Sequence, residues 1–111
     1  MNNLQTANKL MKEVFWADYP IKGGYGKSID DAIIIDIIAW THFVELEYEI
    51  VGFLSIHIGK LLHVKKQKLT RVDMKFYDIL YVEELEPKAE KYTLELYFDI
   101  TDCWNKKNTK K

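Results

Sequence analysis

The sequence predicts an α+β domain with element order α-β-α-β-β-β. Its sheet is expected to be mostly antiparallel, with a C-terminal meander and helices packed on one face. Three observations predict this class. Apolar residues recur at helical spacing over 4–16 and again over 43–59, β-branched residues crowd 32–40, and strict apolar–polar alternation runs through 92–101. The 111 residues suffice for one domain. With 48% hydrophobic and 14% aromatic residues, only 2 Pro and 5 Gly, the chain can bury a real core.

In the first element, Leu4, Ala7, Leu10, Met11, Val14 and Phe15 form one stripe, with Lys9, Lys12 and Glu13 between them. Asp18-Tyr19-Pro20 ends this helix, because Pro20 biases Tyr19 away from helical angles. Residues 20–31 read as a loop carrying Gly23, Gly24 and Gly26. The run from Ala32 to Trp40, interrupted by Asp36, reads as a strand covered on both faces for most of its length.

Phe43 to Gly59 fits two periods. Val44, Leu46, Tyr48 and Ile50 alternate with Glu45, Glu47 and Glu49, as in a strand, yet Phe43, Leu46, Ile50, Phe53, Leu54, His57 and Ile58 form an equally good helical stripe. Pattern alone leaves both open; length favours the helix. A 17-residue strand would extend about 55 Å, against a radius of gyration of about 13 Å for a domain of this size. Gly59 is then the natural C-terminal cap. Three strands follow. His63 to Val72 slips parity between Val64 and Leu69, which suggests a bulge, and turns at Asp73-Met74. Phe76 to Leu85 is joined through Glu86-Pro87-Lys88-Ala89-Glu90 to the closing strand Tyr92 to Thr101. Residues 1–104 are expected to form the domain and 105–111 a basic, disordered tail.

The loop Gly23-Gly24-Tyr25-Gly26-Lys27-Ser28 enters Ala32-Ile33-Ile34-Ile35, the Glu47-Tyr48 helix ends at Gly59, and the chain closes on Tyr97-Phe98-Asp99-Ile100-Thr101. In this order the features resemble a group of small uncharacterised bacterial domains, over about residues 20–104. The resemblance implies the helix at 43–59 and the closing meander. It brings no agreed activity, and it implies an accessory or immunity-type role of the kind found beside toxin genes. The turn at Asp73-Met74-Lys75 lacks the Asp-Gly of that group, and Trp104 stands in place of a Phe-Gly ending.

Charge is unevenly spread. Residues 1–59 carry −4, 60–75 carry +5, 76–104 carry −6 and 105–111 carry +4, for a net −1. The body is therefore acidic, which argues against nucleic acid as principal partner. A single Cys103 allows no internal disulfide, the N-terminus lacks the pattern of a signal peptide, and no apolar run approaches the roughly 20 residues of a membrane span. A cytoplasmic location and no membrane partner are expected.

The candidate chemistry is sparse. Gly26-Lys27-Ser28 suggests a phosphate loop, but Ile21 stands where the first Gly of that motif belongs, and an Ile-rich strand follows instead of a helix. His42, His57 and His63 have no metal-ligand spacing, so neither metal nor cofactor is expected. His42 could share a helix face with Glu45 and Glu49, as a carboxylate-oriented base would, or simply mark a solvated helix start. Cys103 beside Asp102 suits a structural thiol better than a nucleophile. Asp99 is expected to accept from backbone amides, those of the glycine loop foremost. The basic run Lys60, Lys65, Lys66, Lys68, Arg71 and Lys75 suits a guarded edge strand, with the glutamates of neighbouring strands as partners.

The leading expectation is a non-catalytic protein-binding domain, immunity-like, that inhibits a basic protein partner through Glu45, Glu49, Glu83, Glu84 and Glu86. The alternative is a small-ligand or hydrolytic domain with a pocket near the glycine loop, lined by Tyr25, Trp40, His42, Tyr97 and Asp99. A third is a homo-oligomer pairing through an exposed sheet edge.

Overall fold

The β-branched and alternating segments come together as one five-stranded sheet. A computed structural model describes residues 20–86 and 90–108. The helix expected over 4–16 lies outside the described residues. The strands are β1 (Ile21–Gly23), β2 (Ile33–Ile35), β3 (Leu62–Val72), β4 (Lys75–Glu84) and β5 (Thr93–Asp99), in the order β1-β2-β5-β4-β3. All neighbours are antiparallel except β2 and β5, which pair in parallel at Ile33/Phe98 and Ile34/Asp99. The mixed, mostly antiparallel α+β class is as expected, and so is the meander.

Helix α1 (Phe43–Ile58) takes the segment that fitted both periods. Its inward face carries Phe43, Leu46, Ile50, Val51 and Phe53, which meet Ile33, Ile35, Leu62, Leu80, Val82, Leu96 and Phe98 from the sheet in one core. Full burial of each such side chain contributes roughly 1.5–3 kcal/mol, so this face outweighs the local alternation of Val44 and Tyr48, which lie exposed. Gly59 ends the helix at φ 71°, and Lys60 N–H donates to the Ser55 carbonyl at 3.1 Å. The Ser55 hydroxyl then ties the exit to β3, donating to the Lys60 carbonyl and accepting from Leu62 N–H at 3.2 Å. Because Gly59 is left-handed with open space around it, Gly59→Ala is expected to cost about 1 kcal/mol in a urea unfolding experiment.

Three boundaries differ from expectation, two of them because a carboxylate redirects the chain and one because strand pairing extends into the expected loop. The strand expected over 32–40 is only Ile33–Ile35. The Asp36 side chain accepts from Ile38 N–H at 3.0 Å and starts a 3-10 helix, Ile37–Ala39, which leaves Ile37 and Ile38 exposed. The expected loop 20–31 begins with β1, since Ile21 pairs with Ile35 and Gly23 with Ile33. The closing strand stops at Asp99, whose carboxylate accepts from the Thr101 amide at 3.0 Å and its hydroxyl at 2.6 Å. Helix α2 (Thr101–Lys107) follows and takes residues that were expected to be tail. It buries Cys103, and the Cys103 thiol donates to the Asp36 carbonyl at 3.1 Å. Residues 109–111 lie outside the described residues.

The β3–β4 hairpin turns at Asp73 and Met74, Asp73 taking φ 58°, and the expected bulge falls between Val64 and Lys66. β3 is an edge strand and carries the lysines. Cross-strand pairing places Leu80, Val82, Leu94, Leu96 and Phe98 on the core face, and Tyr77, Ile79, Tyr81, Glu95, Tyr97 and Asp99 on the other.

Candidate functional site

The glycine loop is held by its own backbone. Gly24 N–H donates to the Ala32 carbonyl at 3.0 Å and Gly26 N–H to the Asp31 carbonyl at 2.7 Å. A Cβ on Gly24 would run into Asp31, and Gly26 sits at φ 87°. These contacts, not Asp99, fix the loop. Asp99 does accept a backbone amide as expected, but that of Thr101, and its other oxygen lies 3.8 Å from Lys75 Nζ.

Tied down in this way, the loop forms one wall of a cleft of about 620 Å³. The last turns of α1 supply Leu54, His57 and Ile58, and the start of β5 with the residue before it supplies Tyr92, Leu94, Glu95 and Leu96. Tyr25, Gly26 and Lys27 close the end. The floor is apolar, and the volume falls within the range of small-molecule and peptide sites. His57 stacks on Phe53, with ring centroids 5.8 Å apart and planes 12° from parallel. Glu95 turns its carboxylate to the opposite sheet face, where Tyr97 Oη donates to it at 2.7 Å. Lys27 and His57 therefore line the cleft without that carboxylate between them.

The five residues expected to share a pocket are not brought together. Tyr25 lines the cleft. Trp40 and His42 sit before α1, in a separate hollow of about 270 Å³ with Glu45 and Lys107. There Lys106 Nζ lies 5.6 Å from the Trp40 ring centroid and Lys107 Nζ 5.5 Å from that of Phe43. His42 Nδ1 is 3.1 Å from the hydroxyl of the adjacent Thr41. Tyr97 and Asp99 fall on the far face of the sheet, because β5 alternates and Leu96 and Phe98 occupy the core side.

The acidic surface also divides. Glu45, Glu49 and Glu86 are exposed. Glu83, by contrast, is a hub: Lys91 Nζ lies 3.3 Å, His63 Nε2 3.3 Å and Lys65 Nζ 3.8 Å from its carboxylate. Against the opposing effect of desolvation, the Lys91 hydrogen bond and the charges of Lys65 and Lys91 hold Glu83 below the usual carboxylate range. Glu84 lies 3.9 Å from Lys60 Nζ. These two glutamates answer the chain's own lysines, as cross-strand pairing on an edge predicts.

Glu47, which alternates with apolar residues alongside Glu45 and Glu49 in the sequence, is fully buried with Asp78 beside it. Neither of its oxygens meets a donor, so the one hydrogen bond open to it is the one it donates itself, as the acid, to Asp78. Burial first, then that bond and the Asp78 charge, push the Glu47 carboxyl up to about 10. The polar chain continues outward. Gln67 Nε2 donates to Asp78 at 3.2 Å, and Tyr48 Oη donates to Gln67 Oε1 at 3.3 Å. Glu47 lines neither the cleft nor the hollow beside Trp40, and among the described residues this network ties α1 to β3 and β4. The Cys103 thiol is likewise inert: burial, then the charges of Asp102 and Asp36, raise it to about 11.

The comparisons with known proteins are silent. The chain matches no protein-family model, no curated protein and no solved structure. The cleft itself was not legible as a site. Leu54, Ile58, Leu94 and Leu96 lie on stripes that read as core, and only the neighbouring Tyr25-Gly26-Lys27 marked the place. Among the described residues no cluster of three His, Cys, Asp or Glu side chains could hold a metal, and no helix is long and apolar enough to cross a membrane.

Proposed function

We propose that the protein is a non-catalytic binding domain whose ligand occupies the cleft between the glycine loop, the end of α1 and the start of β5. The carrying observation is the cleft: about 620 Å³, floored by Leu54, Ile58, Leu94 and Leu96 and rimmed by Tyr25, Lys27, His57 and Tyr92. An apolar floor with a few polar groups at the rim suits binding and orientation. Its lining holds no Ser, Thr or Cys to pair with His57 as an activated nucleophile. An inhibitor of a basic protein acting through the acidic surface has less support, since Glu83 and Glu84 are already matched by Lys60, Lys65 and Lys91. The immunity-type role that the resemblance implies would instead work through the cleft.

The test uses 3-phenylpropionate, whose ring fits the floor and whose carboxylate suits Lys27 and His57. Titration into isotope-labelled protein is expected to shift the methyl signals of Leu54, Ile58, Leu94 and Leu96. Leu54→Trp, which fills the cleft from a half-buried helix position, is expected to abolish those shifts while leaving the unfolding midpoint nearly unchanged. Equal shifts in the filled variant would remove the cleft as the site.

A further inference from the structure

We propose that the occupant of this cleft is the C-terminal end of an extended peptide, which adds a strand to β5 and places its terminal carboxylate at Lys27. The inference rests on the cleft being the binding site and adds the class of ligand and its direction.

The first support is an unpaired strand edge. Glu84 N–H donates to the Tyr92 carbonyl and Ile100 N–H to the Phe76 carbonyl, so the even-numbered residues of this segment bond to β4. The odd-numbered residues therefore turn their N–H and C=O groups away from β4. Tyr97 N–H confirms the alternation, donating to the Gly26 carbonyl at 2.8 Å on that other side. β2 reaches only Phe98 and Asp99. Thr93 and Glu95 are left with backbone donors and acceptors facing outward, and Glu95 borders the cleft. An edge of this kind is a template for one more strand. The odd-numbered edge between Thr93 and Tyr97 is about 13 Å long, enough for roughly four peptide residues.

The second support is charge, which sets direction. Gly26 already occupies the edge position at Tyr97, so an added strand must stop against the glycine loop. The side chain beside that stop is Lys27. A strand running parallel to β5 ends there with its carboxylate, which Lys27 attracts, and the exposed His57 lines the same cleft. An antiparallel strand would bring its ammonium group to Lys27, like charge against like. The parallel direction also continues the sense in which β2 already pairs with β5. Alternate side chains of the peptide then drop onto Leu54, Ile58, Leu94 and Leu96, and the intervening ones stay in solvent.

The test titrates acetylated tetrapeptide acids ending in Val, Ile, Leu or Phe, and the same peptides as C-terminal amides, into the full chain. At saturation with at least one of the acids, the Thr93 and Glu95 amides are expected to exchange about tenfold more slowly, because they gain hydrogen-bond partners. The amidated peptide is expected to bind about tenfold more weakly, and Lys27→Ala to erase that difference. Failure of all the acids to protect Thr93 and Glu95 up to millimolar concentration would overturn strand addition. If 3-phenylpropionate still shifts the cleft methyls in that case, the cleft remains a ligand site and only the peptide is lost. Protection that is the same with acids and amides would overturn the assigned terminus and direction.

Discussion

Glu47→Gln is expected to stabilise the protein by about 3 kcal/mol at pH 7, and the gain should vanish near pH 4.5. In the native state Glu47 keeps its proton up to about 10, against an ordinary value of 4.5. Between those two values the unfolded chain ionises this carboxyl and the folded chain does not, so the unfolded state gains about 1.4 kcal/mol for each pH unit. The sign follows directly. Stability linked to this group is fully present below pH 4.5, falls as pH rises, and levels off near 10. Gln keeps the shape and can donate to Asp78, but it has no proton to lose. Urea unfolding of both proteins at pH 4.5, 6 and 7.5 checks this: the curves should diverge with pH. Parallel curves would mean that Glu47 is not held neutral. Glu47→Ala should behave differently, since it loses the bond to Asp78 and leaves a hole in the core beneath α1.

Phe98→Ala is expected to cost about 3–5 kcal/mol, the usual range for removing a buried aromatic side chain. Phe98 is fully buried in the middle strand and pairs with Asp78 on one side and Ile33 on the other. A domain of this size has a total stability of only about 5–15 kcal/mol, so the loss is a large fraction. It should also be uneven. The parallel seam between β2 and β5 consists of two residue pairs, one of them through Phe98, while β3, β4 and β5 share long ladders. Hydrogen exchange in the variant should therefore accelerate first in β1, β2 and the glycine loop, and later in β4. Uniform acceleration would show that the seam is no weaker than the rest. Because the loop forms one wall of the cleft, 3-phenylpropionate should bind this variant more weakly even where it remains folded.

The helical stripe of 43–58, the lysine-guarded edge, the bulge near Val64 and the C-terminal meander were all legible in the sequence. In each case the repeat of apolar side chains matches a backbone period, and the tertiary fold reinforces it. Two of the misread boundaries share a different cause. Asp36 and Asp99 each bond to an amide two residues on, and a single such bond ends a strand that hydrophobic patterning would continue. The same local chemistry explains why Asp99 serves α2 rather than the glycine loop.

Glu47 shows the limit of alternation. Beside Glu45 and Glu49 it looks like one of three solvated charges, yet helical geometry turns it inward while the other two stay outside. The cleft shows the same limit on the apolar side. Leu54, Ile58, Leu94 and Leu96 carry the periodicity of core residues, and nothing local distinguishes a core that is filled from one left open at its end. The sequence by itself determined the α+β class, the main periods and the charged edge, because each depends on residues close together in the chain. Only the tertiary structure decided that Glu47 is buried against Asp78, that the expected pocket residues lie on opposite faces of the sheet, and that β5 fronts a cleft with an unpaired edge. Those features depend on which segments meet across the sheet, and side-chain period carries no information about that.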